Sequence, residues 1–202
     1  MNSRAQDLSP TAIRERILDA AEACLIEFGY GVRLHAVIAE RAGLSRPTLY
    51  KYLGDQAQIL QALLQREITR FFTLLDPVLR GRDRLDDGFV ECVVFAVGYA
   101  RRHPVLQKGL HDNPATVLPW FTVNSGPLIA RGAESLTPHF ERMCAHDGAA
   151  GVNPHVISEW AFRMVASLII TTGDVDTGDE RALREFVRGL LAIGVVPAAQ
   201  PA

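Results

Sequence analysis

Residues 42–55 read AGLSRPTLYKYLGD and crowd Thr48, Tyr50, Lys51 and Tyr52 into barely two turns of helix, directly behind a glycine, a serine and a proline. At about 100° per residue, Leu49 and Leu53 share one side and must face a core, which sets Lys51 nearly opposite with Pro47 and Thr48 on either side. Tyr50 and Tyr52 then fall on the two flanks. Such a strip suits the edges of base pairs. Thr48 can meet a base or a thymine methyl, and Lys51 can meet guanine acceptors or a phosphate. Flanking phenols reach backbone phosphates and fix register. Ser45 is placed to cap the helix, and the amides of its first turn, with Arg46 nearby, make an anion site. A buried helical hairpin with two core tyrosines fits the same spacing, so the pattern alone leaves both readings open.

The elements that must hold this strip are legible on both sides of it. SPTAIRERILDAAEACLIEFGYG offers Ser9 as N-cap and Pro10 at the first helical position, then sets Ile13, Ile17, Ala20, Cys24, Leu25 and Phe28 on one face. HAVIAERAG is a shorter helix with Val37, Ile38 and Ala42 on its packed side, and Gly43 suits the left-handed residue that stops it. A helix, a glycine turn and a second short helix are the parts of a helix-turn-helix, whose second helix enters the DNA major groove. Asp55 with Gln58 forms a capping box that opens a fourth, longer helix towards Pro77. Helical spacing continues to the end, and no alternating strand pattern of useful length, repeat or low-complexity tract is present. The expected fold is all-α with about nine helices, divided into a helix-turn-helix domain over 1–54 and a larger helical bundle over 55–202.

Composition excludes several classes. The 202 residues are 48% hydrophobic and 22% charged, an ordinary globular balance. Residues 1–54 carry seven Lys/Arg against six Asp/Glu, and 55–202 carry fourteen against seventeen, so placement rather than net charge must carry any nucleic-acid signal. Cys24, Cys92 and Cys144 are odd in number and far apart, which suits a reducing compartment rather than a disulfide framework. The longest apolar run, VASLII, is far short of the roughly 20 residues that cross a bilayer, and the first ten residues lack the apolar core of a signal peptide. A cytoplasmic protein is expected. His155 and Glu159 lie one helical turn apart, but a metal site needs three or four converging groups and no more can be assembled by spacing. No GxSxG, HExxH or phosphate-cradling glycine loop occurs, so neither catalysis nor a cofactor is expected.

IAERAGLSRPTLYKYLGDQAQIL, preceded by a helix ending in EFGY, resembles the DNA-binding domain of the TetR (tetracycline-repressor-like) family over residues 10 to about 62. The resemblance puts Ser45, Arg46, Pro47, Thr48, Tyr50, Lys51 and Tyr52 in DNA-facing positions, with both tyrosines on phosphates. It implies a homodimeric transcriptional repressor whose C-terminal bundle, over 55–202, is an effector-binding and dimerisation domain that takes a small molecule. Two positions depart from the family pattern. Leu34 stands where a threonine or serine is usual, with Arg33 beside it as a substitute phosphate contact, and Gln56 stands where a lysine is usual. Losing one ionic contact lowers the salt slope by about one unit, which shifts backbone binding towards Arg4, Arg14 and Arg33.

By the same resemblance the last two helices pair with those of a second subunit. Trp160, Ala161, Met164, Ser167 and Leu168, followed by Phe186, Val187, Leu190 and Leu191, leave a helix apolar on more than one side, which needs two partners. A dimer reads a near-palindromic operator. Phe72, Phe95, Tyr99, Trp120, Phe121 and Met143 are the candidates for lining a pocket, which favours an apolar or aromatic effector. The alternative is a helical small-molecule-binding protein or enzyme that keeps a vestigial DNA-binding module.

Overall fold

The computed structural model describes residues 9–30, 33–149 and 151–193. They form α1 (Pro10–Phe28), α2 (His35–Arg41), α3 (Arg46–Leu53), α4 (Gln56–Arg80), α5 (Leu85–Arg102), α6 (Pro104–Asp112), α7 (Pro114–Phe121), α8 (Gly126–Asp147), α9 (Pro154–Ile170) and α10 (Glu180–Ile193). No strand occurs among the described residues, and the all-α class stands with ten helices rather than about nine. None of these helices is long and apolar enough to cross a membrane. The fold divides into two compact units, residues 1–71 with 104–117 and residues 72–103 with 118–202.

Local chemistry sets the helix ends of the first unit. Ser9 accepts the Ala12 amide at 3.2 Å in front of Pro10. Asp55 and Gln58 exchange reciprocal bonds, with the Gln58 amide donating to Asp55 Oδ1 at 2.9 Å and the Asp55 amide donating to Gln58 Oε1 at 3.0 Å. The core gathers Ile17, Cys24 and Leu25 from α1, Ile38 from α2, Leu49 and Leu53 from α3, and Ile59 and Leu63 from α4. On its surface the Arg66 guanidinium, only 11% exposed, donates to Asp19 at 2.7 Å, Glu22 at 2.8 Å and Glu15 at 3.3 Å. That fan of charge-assisted bonds ties α4 to α1.

In the second unit α5 packs against α8, α9 and α10, and α8 against α9. Phe89 and Phe140 are buried there, and Trp160 stacks on Phe89 with ring centroids 4.5 Å apart. Glu91 and Asp87 on α5 accept from Arg184 and Arg188 on α10. All three cysteines are free and buried. The fourth helix runs past Pro77 to Arg80 rather than stopping there. So near its end the proline removes one hydrogen bond, while Leu75 and Leu79 stay buried on the other side.

Tyr30 joins α1 to α6 within the first unit. Its amide donates to Asn113 Oδ1 at 3.2 Å, and a Cβ on Gly109 would lie 2.8 Å from its ring, so the glycine makes room for it. Burial penalises the phenolate and pushes the Tyr30 pKa from 10.0 up to about 12. A folded-state pKa above the unfolded one stabilises fully below about pH 10, and that stabilisation is lost as pH rises through 12. The expected outcome is a urea midpoint that falls between pH 10 and 12, with a smaller fall in Tyr30→Phe; equal falls in the two proteins contradict it.

Candidate nucleic-acid interface

The turn between α2 and α3 is built from one glycine and one serine. Gly43 sits in the left-handed region at φ 61°, donating to the Glu40 carbonyl at 2.9 Å, while Leu44 donates to the Ala39 carbonyl at 2.9 Å. Ser45 then takes an extended conformation, and its hydroxyl accepts the Thr48 amide at 3.2 Å, with Pro47 early in the helix. The side chain of Ala39 is buried at the crossing of the two helices.

Leu49 and Leu53 are buried, at 0% and 6% exposure, and this fixes the roll of α3. Arg46, Pro47 and Lys51 are exposed. Thr48 is half-buried, its hydroxyl 2.7 Å from that of Ser45. Tyr50 is 55% exposed, with its ring against His35 at a centroid distance of 4.0 Å. Tyr52 is half-buried against the core, and Lys51 Nζ lies 5.8 Å from its ring centroid. Lys51 has no carboxylate partner among the described residues. The strip therefore presents an amine, a hydroxyl and one free phenol edge outward, with the first-turn amides and Arg46 at its start.

Two contacts at the other end of α3 are absent from the sequence reading. Arg14 donates to the Tyr52 carbonyl at 2.6 Å, and His35 Nε2 lies 3.2 Å from the Gly54 carbonyl. Cations and donors at a helix C-terminus satisfy its orphan carbonyls. Arg14 is thus engaged with backbone, while Arg33 is exposed and Arg4 lies outside the described residues. Leu34 is a fully buried core residue, and its amide donates to Gln56 Oε1 at 2.9 Å. Since α2 has no side-chain cap of its own, the first residue of α4 supplies one.

The six residues named for an effector are dispersed. Phe95 lines a cavity of about 510 Å³, whereas Phe72, Tyr99, Trp120, Phe121 and Met143 are not on its wall. Met143 is fully buried, filling the space over Gly88. Trp120 and Phe121 are half-buried in α7, and Phe72 in α4 approaches Gly132. Of the histidines, His139 faces Asp76 at 3.2 Å and His111 faces Asp112 at 2.6 Å, and no group of three or more His, Cys, Asp or Glu able to hold a metal occurs among the described residues.

A glycine turn joining two short helices, the second capped, apolar beneath and polar outward, defines a helix-turn-helix protein. Residues 17–63 match the family model for bacterial regulatory proteins of the tetR family. The uncharacterised HTH-type transcriptional regulator Rv2250c of Mycobacterium tuberculosis is 32% identical over 102 residues, 50% of this chain and 52% of that one. A second such regulator of the same organism, Rv1255c, is 28% identical over 184 residues, 86% of this chain and 82% of its own. The first of these alignments spans only about half the length of the relative. A crystal structure of a TetR-family transcriptional regulator from Pectobacterium atrosepticum shares the fold, with a TM-score of 0.67 at 18% identity over 99% of this chain and all of that one. The likeness to the tetR family of bacterial regulatory proteins is carried by residues 17–63, the segment that holds the helix-turn-helix.

The Gln56 contact makes a prediction about stability. Gln56→Ala leaves the Leu34 amide without its acceptor, at an expected cost of about 1 kcal/mol in urea unfolding. Gln56→Glu keeps an acceptor at that site and restores most of the loss. Equal destabilisation by both changes would show that the oxygen at residue 56 is not what caps α2.

Proposed function

We propose that the protein is a DNA-binding transcriptional regulator, a homodimeric repressor that binds a near-palindromic operator and is released from it by a small-molecule effector. The observation that carries the reading is the roll of α3, with Leu49 and Leu53 buried and Lys51, Arg46 and Pro47 exposed. Ser45, Thr48, Tyr50 and Tyr52 complete the face, and Arg33 adds a cation beside α2. Gln56 acts by capping α2 through its oxygen, which supports the interface indirectly.

Self-association finds support in α9. Val156 and Trp160, one turn apart on α9, are 59% and 43% exposed, and Val152 just before the helix is 43% exposed, large apolar side chains left to solvent. On α10, Leu183 and Val187 are buried and Phe186, Leu190 and Leu191 half-buried. A two-fold dimer sets its recognition helices in major grooves about 34–36 Å apart, and its work on a bacterial operator places it in the cytoplasm. An effector coupling of about 1–3 kcal/mol weakens operator binding 5- to 150-fold.

The test is a gel shift of the full chain on the intergenic DNA beside its own gene, compared with unrelated DNA of equal length. Lys51→Ala and Thr48→Ala should each weaken operator binding roughly tenfold while leaving unrelated DNA less affected, and Lys51→Ala should lower the salt slope by about one unit if its amine sits on a phosphate. No shift at low salt by a dimeric protein favours the rival, a helical binding protein or enzyme with a vestigial module. Equal weakening on all DNA points instead to an architectural binder.

A further inference from the structure

The cavity beside Phe95 is walled by the end of α4, one stripe of α5 and the start of α10. On α5 the wall residues are Glu91, Val94 with the adjacent Phe95, Gly98 and Arg102, successive turns of one face. Gly98 shapes this wall by what it lacks. A Cβ there would lie 3.2 Å from both terminal nitrogens of Arg102, so that guanidinium lies back over the glycine and along the cavity. Val78, Val94, Phe95 and Leu183 supply the apolar part of the lining, beside the polar Arg82, Thr177 and Glu180. Thr177, on the loop before α10, closes one side and is held by a hydrogen bond from Arg101.

The charges on this wall are unequal in their commitments. The Glu91 carboxylate, 14% exposed, receives Arg184 Nε at 2.9 Å and Nη2 at 3.2 Å, with Arg82 3.7 Å away, and Arg184 foremost holds its pKa below the ordinary range. Glu180 takes a further bond from Arg184 at 2.8 Å. Both carboxylates are thereby answered. Arg102 makes no ion pair or hydrogen bond with any described residue. The lining itself holds two guanidinium groups and two carboxylates; Arg82 lies against Glu91, and Arg184 behind the wall answers both Glu91 and Glu180, so Arg102 is left as a cation with no carboxylate among the described residues, in a space of ligand size.

We infer that this cavity binds an amphiphilic monocarboxylate, its head on Arg102 and its apolar body against Val78, Val94, Phe95 and Leu183. A guanidinium fork matches a carboxylate in two parallel bonds. A phosphate monoester carries more negative charge than the one surplus cation answers, and it meets Glu91 and Glu180 on the same wall. The inference deepens the effector reading proposed above by naming a ligand class, and it rests on that reading only for its consequence at DNA.

The test is calorimetric titration of the full chain with octanoate, against 1-octanol as the uncharged control and octyl phosphate as the more highly charged one. Octanoate should saturate one site per chain and bind at least about tenfold tighter than either control. Arg102→Met should weaken octanoate about tenfold and leave 1-octanol unchanged, with the ligand-free melting temperature held. Gly98→Ala gives a second variant that keeps every charge: its methyl, 3.2 Å from both terminal nitrogens of Arg102, shifts the guanidinium by a few tenths of an ångström, so octanoate weakens less than in Arg102→Met, in a helix that is if anything more stable. Absent saturation, or octanoate binding equal in wild type and Arg102→Met, overturns the site. A gel shift in octanoate is the separate arm. Binding that leaves DNA affinity unaltered confirms the site and sinks the effector reading.

Discussion

Burial of Leu49 and Leu53 is the constraint on which the rest of the interface depends. Two side chains one turn apart, each worth about 1.5–3 kcal/mol of transfer free energy, allow a short helix only one roll about its axis. Once that roll is set, Lys51 points away from the core whatever else the chain does. The axis is then pinned at both ends. The Ser45 hydroxyl holds the first-turn amide of Thr48, and Arg14 and His35 meet the carbonyls of Tyr52 and Gly54. Eight residues would not remain helical alone in water, so this support from α1, α2 and the caps is what holds the strip in one rigid orientation.

Features that depend on near neighbours were readable in the sequence. Ser9, Gly43, Ser45 and the Asp55–Gln58 box all act over three or four residues, and the structure places each as the local chemistry requires. Leu34 and Gln56 were harder. Read singly, each is a departure from the family's pattern, one losing a hydroxyl and the other a charge. In the fold they are the two halves of one hydrogen bond across 22 residues, and no spacing rule connects them. Arg14 illustrates the same limit, since its partner carbonyl lies 38 residues on.

The second unit was legible as helices but not as a site. Counting aromatic and soft side chains names Phe95, which lines the cavity, alongside Met143, which is fully buried. A cavity is defined by where atoms are missing, and here Gly81 and Gly98 leave the space, while a guanidinium from Arg184, 93 residues from Glu91, decides which charges remain available. Neither fact follows from periodicity, which reports a face of α5 without saying what lies opposite it.

One helix carries both the residue that caps α2 and residues of the cavity wall. Gln56 opens α4 and caps α2, Ile59 and Leu63 lie in the core of the first unit, and Pro77 and Val78 near the far end belong to the cavity wall. Along its first half the helix is clamped to α1 by packing and by the Arg66 fan. Towards the other end Pro77 deletes a backbone hydrogen bond, which is where a helix bends at least cost. A ligand of the inferred kind, seated against Val78, would meet α4 beside the backbone hydrogen bond that Pro77 removes. For it to alter operator affinity it must bind two bends of that stretch unequally, because a ligand indifferent to them shifts nothing however tightly it holds.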